Sequence, residues 1–233
     1  MIFRNHFLAQ LSEDDYAALR VNLREVSLSK GEVLFEPGER VLSVYFPSTV
    51  VLSGVVVFTD GRSVEAATLG FEGVAGILPC LTDTPSTLRL FAQIPGTALK
   101  LPAEAPRQRA FDNSAFMRSL LDRVGASHVQ AEQGAACNAL HEAPVRLARW
   151  LLMTGDRTGS DKFPLTQDYM AIMVGVQRTT INAAAMVLKD RGLIQYSRGM
   201  VRILHRPSLE AVACECYDII RPRSRSLVGR EFP

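Results

Sequence analysis

The spacing of apolar positions changes twice along the chain and divides it into three regions. In "LSEDDYAALRVNL", residues 11–23, Tyr16, Leu19 and Leu23 recur at helical spacing behind Ser12, with Asp15 three residues after it. That is an N-capped helix. From Glu32 to about residue 102 the period shortens. "EVLFEPGERVLSVYFPSTVVLSGVVVFTDGRSVEAATLG" alternates β-branched and aromatic runs with Pro37-Gly38, Pro47-Ser48 and Asp60-Gly61, and "TLRLFAQIPGTALKLP" continues it. Asp60-Gly61 between two such runs predicts a hairpin, and many short strands with regular turns predict a sandwich or barrel.

After Pro106 the pattern turns helical and stays so to about residue 154. Met117, Leu121, Val124, His128, Ala131, Ala135 and Asn138 are spaced 4, 3, 4, 3, 4, 3, the a/d seam of a coiled coil. The stripe packs either on its own domain or on a second copy. Self-association is the expectation, since a long helix joining a β domain to a basic one has little else to cover it. His128 lies on the seam, read as a hydrogen-bonded packing residue, with a ligand or pH-sensing contact as the alternative. Pro144 suits the first turn of another helix, with Leu147, Leu151 and Leu152 as its apolar face. "GDRTGSDKFP" is expected to be a loop and "RPRSRSLVGREFP" a frayed end.

"LTQDYMAIMVGVQRTTINAAAMVLKDRGLIQYSRGMVRIL", residues 165–204, is the most informative stretch. Thr166 can cap a helix that stops at Gly175, and Asp168 suits its first turn. A second helix begins near Gln177, with Ile181, Ala184, Ala185 and Leu188 on one face and Thr179, Asn182, Ala183 and Met186 on the other. Two short helices about a Gly turn form a helix-turn-helix. "GLIQYSRGMVRIL" adds a hairpin turning at Arg198-Gly199, a wing. A helix end entering the major groove needs polar groups in its first turns, and Gln177, Arg178, Thr179 and Asn182 supply them. Thr166, Arg198 and Arg202 suit phosphates. A winged helix serving protein contacts is the alternative.

Charge favours DNA. The chain carries a net charge of only +2, yet residues 142–206 hold ten Lys and Arg against five Asp and Glu. A basic segment in a near-neutral protein points to double-stranded nucleic acid. No run of about 18 apolar residues suggests a membrane span, and "MIFRNHFLAQLSEDD" does not resemble a secretory leader, so a cytoplasmic location is expected. Cys80, Cys137, Cys214 and Cys216 are too scattered for a disulfide framework and are expected to be reduced thiols, with a redox sensor as the alternative. Two residues apart on a helix, Cys214 and Cys216 would diverge, and His6, His141 and His205 suggest no cluster. No metal and no cofactor are expected. No Ser-His-Asp set, phosphate-cradling Gly loop or paired carboxylates suggest an enzyme.

A β-rich first half, a seam helix and a winged helix-turn-helix in this order resemble the Crp/Fnr family of bacterial transcription regulators. "GEVLFEPGE", "DGRSVEAATLGFEGVAG" and "LTQDYMAIMVGVQRTTI…LKDRGLI" carry the resemblance, which spans about residues 10–206. It implies an α+β fold: an N-terminal β jelly-roll of the cyclic-nucleotide-binding type over 1–112, a dimerisation helix over 113–141, a winged helix-turn-helix over 142–220 and a flexible tail over 221–233. It also implies a homodimer on a palindrome, with Met117, Leu121, Val124, His128, Ala131 and Ala135 at the interface, and RNA polymerase as a further candidate partner.

Two departures from the family pattern matter. Members that bind cyclic AMP grip the ribose with Gly-Glu and the phosphate with Arg-Ser/Thr-Ala. Here Val74 stands at the Glu position, and Ser86, Thr87 and Leu88 stand at the others. Arg89 comes three residues later, an odd shift that turns it to the other strand face. The position of an adenine-contacting pair reads Ala131-Glu132. Val74, Ser86, Thr87, Arg89 and Glu132 therefore define a candidate pocket that lacks the guanidinium a cyclic phosphate needs. The expectation is a regulator unresponsive to cyclic AMP, its effector unknown; the alternative is a regulator sensing a cyclic nucleotide or other small molecule through a diverged pocket. The second departure is in the recognition helix, where a common Arg-Glu-Thr-Val-x-Arg reads Arg178-Thr179-Thr180-Ile181-Asn182-Ala183.

Overall fold

A computed structural model describes the backbone of residues 4–226 and the side chains of residues 4–221. Two helices open it: α1 (His6–Ala9), and α2 (Glu13–Arg20), which Ser12 caps by accepting from the Asp15 N–H. Strands β1 (Arg24–Leu28), β2 (Val33–Phe35), β3 (Ser43–Pro47), β4 (Val51–Val57) and β5 (Ser63–Leu69) follow. After the short helix α3 (Ile77–Thr82) come β6 (Arg89–Ile94) and β7 (Gly96–Pro102). The strands form two antiparallel sheets, ordered β1-β7-β3 and β2-β6-β4-β5. Strand periodicity divides their side chains. Tyr45 and Ala98 join Leu52, Leu90 and Ala92 between the sheets, whereas Val44, Phe46 and Leu101 point outward. The outward set is covered by Phe7, Leu8, Leu19, Phe116 and Leu120 from helices.

Helix α4 (Glu104–Asp112) ends at Asn113, whose extended backbone separates it from α5 (Ser114–Leu140). The Asn113 carboxamide oxygen accepts from the Ala115 and Phe116 N–H groups, so one residue closes one helix and caps the next. The helical region thus starts before Pro106 and breaks at Asn113, where the resemblance placed the start of the long helix, and again between Leu140 and Ala143. Phe116, Leu120, Arg123, Gln130 and Cys137 form the buried face of α5. The predicted seam lies beside that face. Leu121, His128, Ala131 and Ala135 are exposed, while Met117 and Val124 are partly covered by the helix-side core.

The second unit comprises α6 (Ala143–Thr158), β8 (Lys162–Pro164), α7 (Gln167–Val174), α8 (Arg178–Asp190), β9 (Ile194–Ser197), β10 (Met200–Ile203), α9 (Arg206–Val212) and α10 (Cys216–Ser226). The stretch expected to be a loop after residue 154 instead completes α6. Gly159, at φ 64°, ends the helix, and Lys162–Pro164 then pairs with β10. The chain from 221 to 226 continues α10 where a loose end was expected; 227–233 lie outside the described residues.

The two units share packing. Val51 and Ile94 of the sandwich join the core built by α6, α7 and α8, and the Phe91 and Tyr169 rings stack at 5.7 Å. A polar junction lies at the same boundary. The Arg157 Nε is 2.8 Å from the Glu72 carboxylate, Arg157 also donates to Gln130 Oε1, and Gln130 donates to the Thr68 carbonyl.

Candidate nucleic-acid interface

Thr166 caps α7 by accepting from the Tyr169 N–H, and Gly175 ends that helix at φ 69°. Only glycine adopts that left-handed conformation without cost. The chain then turns sharply, and α7 and α8 meet at 99°. Ile181, Ala184, Ala185 and Leu188 of α8 are buried against the core. The alanines let the two helices approach.

The opposite face is open. Gln177 is the extended N-cap of α8, and Gln177, Arg178, Thr179, Thr180, Ala183 and Met186 are all exposed. Asn182 is half-buried, with its Oδ1 enclosed and without a hydrogen-bond partner. Arg178 reaches back to Asp168 of α7 at 3.2 Å, a pairing the sequence reading did not include. Both side chains remain more than 60% exposed, so this ion pair holds the guanidinium only weakly.

The wing turns where expected: Arg198 at φ 49° and Gly199 at φ 74° join β9 to β10, the double left-handed geometry of a tight hairpin. Arg198 and Arg202 are exposed, and Arg202 lies opposite Lys162 of β8.

The stretch 145–212 matches the model of the Crp-like helix-turn-helix domain. Over these residues the chain has the helix-turn-helix of Crp-like transcription regulators. It is 25% identical over 193 residues to the CRP-like cAMP-activated global transcriptional regulator of Mycobacterium tuberculosis, a match covering 77% of this chain and 83% of that protein. The fold resembles that of a Crp/Fnr-family regulator from Eubacterium rectale at TM-score 0.71 and 16% identity, covering 88% of this chain and 95% of the other. It also resembles the c-di-GMP responsive regulator CLP of Xanthomonas campestris at TM-score 0.69 and 13% identity, covering 83% and 100%. This regulator therefore binds DNA through its helix-turn-helix. No single helix among the described residues is long and apolar enough to cross a membrane.

The first unit of the regulator holds a cavity of ≈ 380 Å³ between the sandwich and α5. Val74, Ser86 and Thr87 line it, together with Leu88, Leu90, Ile77, Val124 and His128. Two predicted pocket residues lie elsewhere. Arg89 is paired with Glu36 at 2.8 Å, and Glu132 is paired with His128 at 3.2 Å on an exposed turn of α5. The Ser86 hydroxyl is already used, donating to the Leu88 carbonyl and accepting from the Leu88 N–H. Among the described residues, no arginine or lysine lines the cavity. Within the single chain His128 is largely exposed, at the cavity rim.

The thiols also differ from expectation. Cys137, His141, Cys214 and Cys216 converge, their ligand atoms all within 4.8 Å of one another. Cys214 lies in the turn before α10 and Cys216 is its first residue, so the helical divergence expected of the pair does not apply. One signal was available in the sequence. Cys137 and His141 are four residues apart, a spacing that puts two ligands on one helix face.

Proposed function

We propose that the regulator acts as a homodimer on a palindromic operator, with 1–112 as its sensing domain, 113–141 as its dimerisation helix and 142–220 as its DNA-binding domain. The observation that carries this reading is the exposed polar start of α8 beside an arginine-bearing wing. Arg178 is suited to guanine, and Asn182, once turned outward, to adenine; Gln177 and Thr179 flank them. Arg198 and Arg202 face phosphates. Thr166 accepts as a cap and keeps its hydroxyl hydrogen to donate to one. The exposed stripe of Leu121, His128, Ala131 and Ala135, continued by Met117 and Val124, supports the second copy. Its small residues let two helices approach closely.

Arg178→Ala is expected to cost about 1–3 kcal/mol at one base position per half-site and to relax preference there. Selection from random DNA with both proteins reads this directly and also gives the half-site spacing. An unchanged preference would remove Arg178 from the recognition role.

The apolar cavity supports a regulator that does not answer to cyclic AMP. A buried phosphodiester without a guanidinium loses its bidentate charge-assisted bonds. Calorimetry on the full chain is expected to show no binding of cyclic AMP, cyclic GMP or cyclic di-GMP. Saturable heat with any of them would refute that reading. The cavity is instead the size and character of a site for a small apolar effector.

A further inference from the structure

We propose that Cys137, His141, Cys214 and Cys216 form a mononuclear tetrahedral zinc site that ties the end of α5 to the start of α10. Four ligand atoms of the right kind come from two separate parts of the chain. Cys137 lies in the last turn of α5 and His141 is that helix's C-cap residue. Cys214 and Cys216 lie on either side of the turn that follows α9. The three cysteines are buried and form a cluster with Val145 packed on it.

The spacing suits one metal ion. Zinc–sulfur bonds of about 2.3 Å in a tetrahedron place sulfurs about 3.8 Å apart. The Cys137 and Cys214 sulfurs are 3.5 Å apart, and Cys216 Sγ is 3.6 Å from His141 Nδ1. A [4Fe–4S] cube binds each thiolate to a different iron, which requires wider separations than the 4.8 Å limit seen here. The thiols are free, not a disulfide.

The surroundings are those of a metal centre. His141 presents Nδ1 to Cys216, while its Nε2 lies 3.3 Å from the Glu215 carboxylate. That carboxylate–histidine arrangement fixes the ring and raises its basicity as a ligand. The Gln133 amide donates to Cys216 Sγ at 3.1 Å. Arg149, 1% exposed, has no carboxylate within salt-bridge distance among the described residues, and its Nε and one terminal nitrogen lack partners. Three thiolates and one neutral imidazole around Zn²⁺ carry one net negative charge, which a buried guanidinium can offset. Binding is ligand exchange without redox: thiol protons leave to solvent as zinc–sulfur bonds replace zinc–water bonds.

The test uses the full chain with zinc and cobalt(II). Elemental analysis of the purified protein is expected to give about one zinc per chain. Cobalt titrated into chelator-stripped wild type should give the visible absorption of tetrahedral Co(II) with thiolate charge transfer. Cys214→Ser and Cys216→Ser should abolish both signals, and Cys80→Ser, outside the cluster, should keep them. Glu215→Gln should weaken zinc binding about 10- to 100-fold. Circular dichroism of the stripped wild type shows whether the fold persists, so the cobalt titration does not depend on any variant folding. Substoichiometric zinc with an octahedral cobalt spectrum would overturn the proposal. Iron with acid-labile sulfide would also overturn it, as would a Cys137–Cys214 disulfide that binds no zinc after reduction.

Discussion

Arg157→Ala is expected to destabilise the regulator by about 3–5 kcal/mol, because it leaves a buried carboxylate without its countercharge. Arg157 and Glu72 have side chains 6% and 9% exposed, so solvent cannot substitute for the lost partner. Arg157 also donates to the Met153 carbonyl and to Gln130 Oε1, and both acceptors are buried. The position is tight as well as charged: a Cβ added at Gly70 would lie 2.8 Å from Arg157 Cγ. Glu72 belongs to the β-sandwich unit, Gln130 to α5 and Arg157 to α6, so the damage falls where the three meet. Replacing both charges, as Arg157→Met with Glu72→Leu, should recover much of the loss, since a buried ion pair contributes little net stability beyond an apolar pair of similar volume. Urea denaturation of the two single variants and the double variant measures this. Additive losses would mean the two residues do not act as a pair.

Arg157 and Glu72 also show where sequence reading stops. The helix-turn-helix and wing were legible because each rests on local chemistry: Thr166 as a cap, Gly175 as a left-handed stop, Arg198-Gly199 as a hairpin turn. The β unit was legible from period-two alternation. The Arg157–Glu72 pair joins residues 85 positions apart, and no periodicity marks such a contact. The cysteine cluster was half legible. Cys137 and His141 share a helix face, but bringing Cys214 and Cys216 to them depends on a turn after α9 that the sequence does not announce. The heptad stripe marks an α5 face that is largely exposed in the single chain, except at Met117 and Val124, which pack on the helix-side core. The resemblance placed the start of the long helix at 113, but apolar spacing alone does not mark the Asn113 cap that sets it.

Glu65→Gln is expected to stabilise the regulator at neutral and alkaline pH while changing little near pH 5. Glu65 lies on β5 and is 4% exposed, beside a cavity of ≈ 260 Å³ that Gln130 and Trp150 also line. Burial pushes its carboxyl up to about 8, although the nearby Ser53 hydroxyl, Arg157 and Arg149 pull the other way. A carboxyl raised in the folded state keeps its proton there while the unfolded chain has already released it. The folded form thus binds more protons between pH 4.5 and about 8, and stability falls as pH rises through that window. At about 1.4 kcal/mol per pH unit the loss reaches on the order of 3 kcal/mol by pH 7 and levels off above the folded value. Glutamine keeps the shape and removes the titration, so the advantage of the variant should grow from pH 5 to pH 8. Chemical denaturation of both proteins at those two pH values decides it. Wild-type stability that rises with pH relative to the variant would mean that Arg157 and Arg149 overcome burial and hold Glu65 ionised. The site also bears on the junction, because β5 carries both Glu65 and Val64, which packs on the Gly175 turn of the helix-turn-helix. Ionising Glu65 therefore penalises the docked arrangement of the two units, and any separation that admits water to its carboxylate relieves that cost.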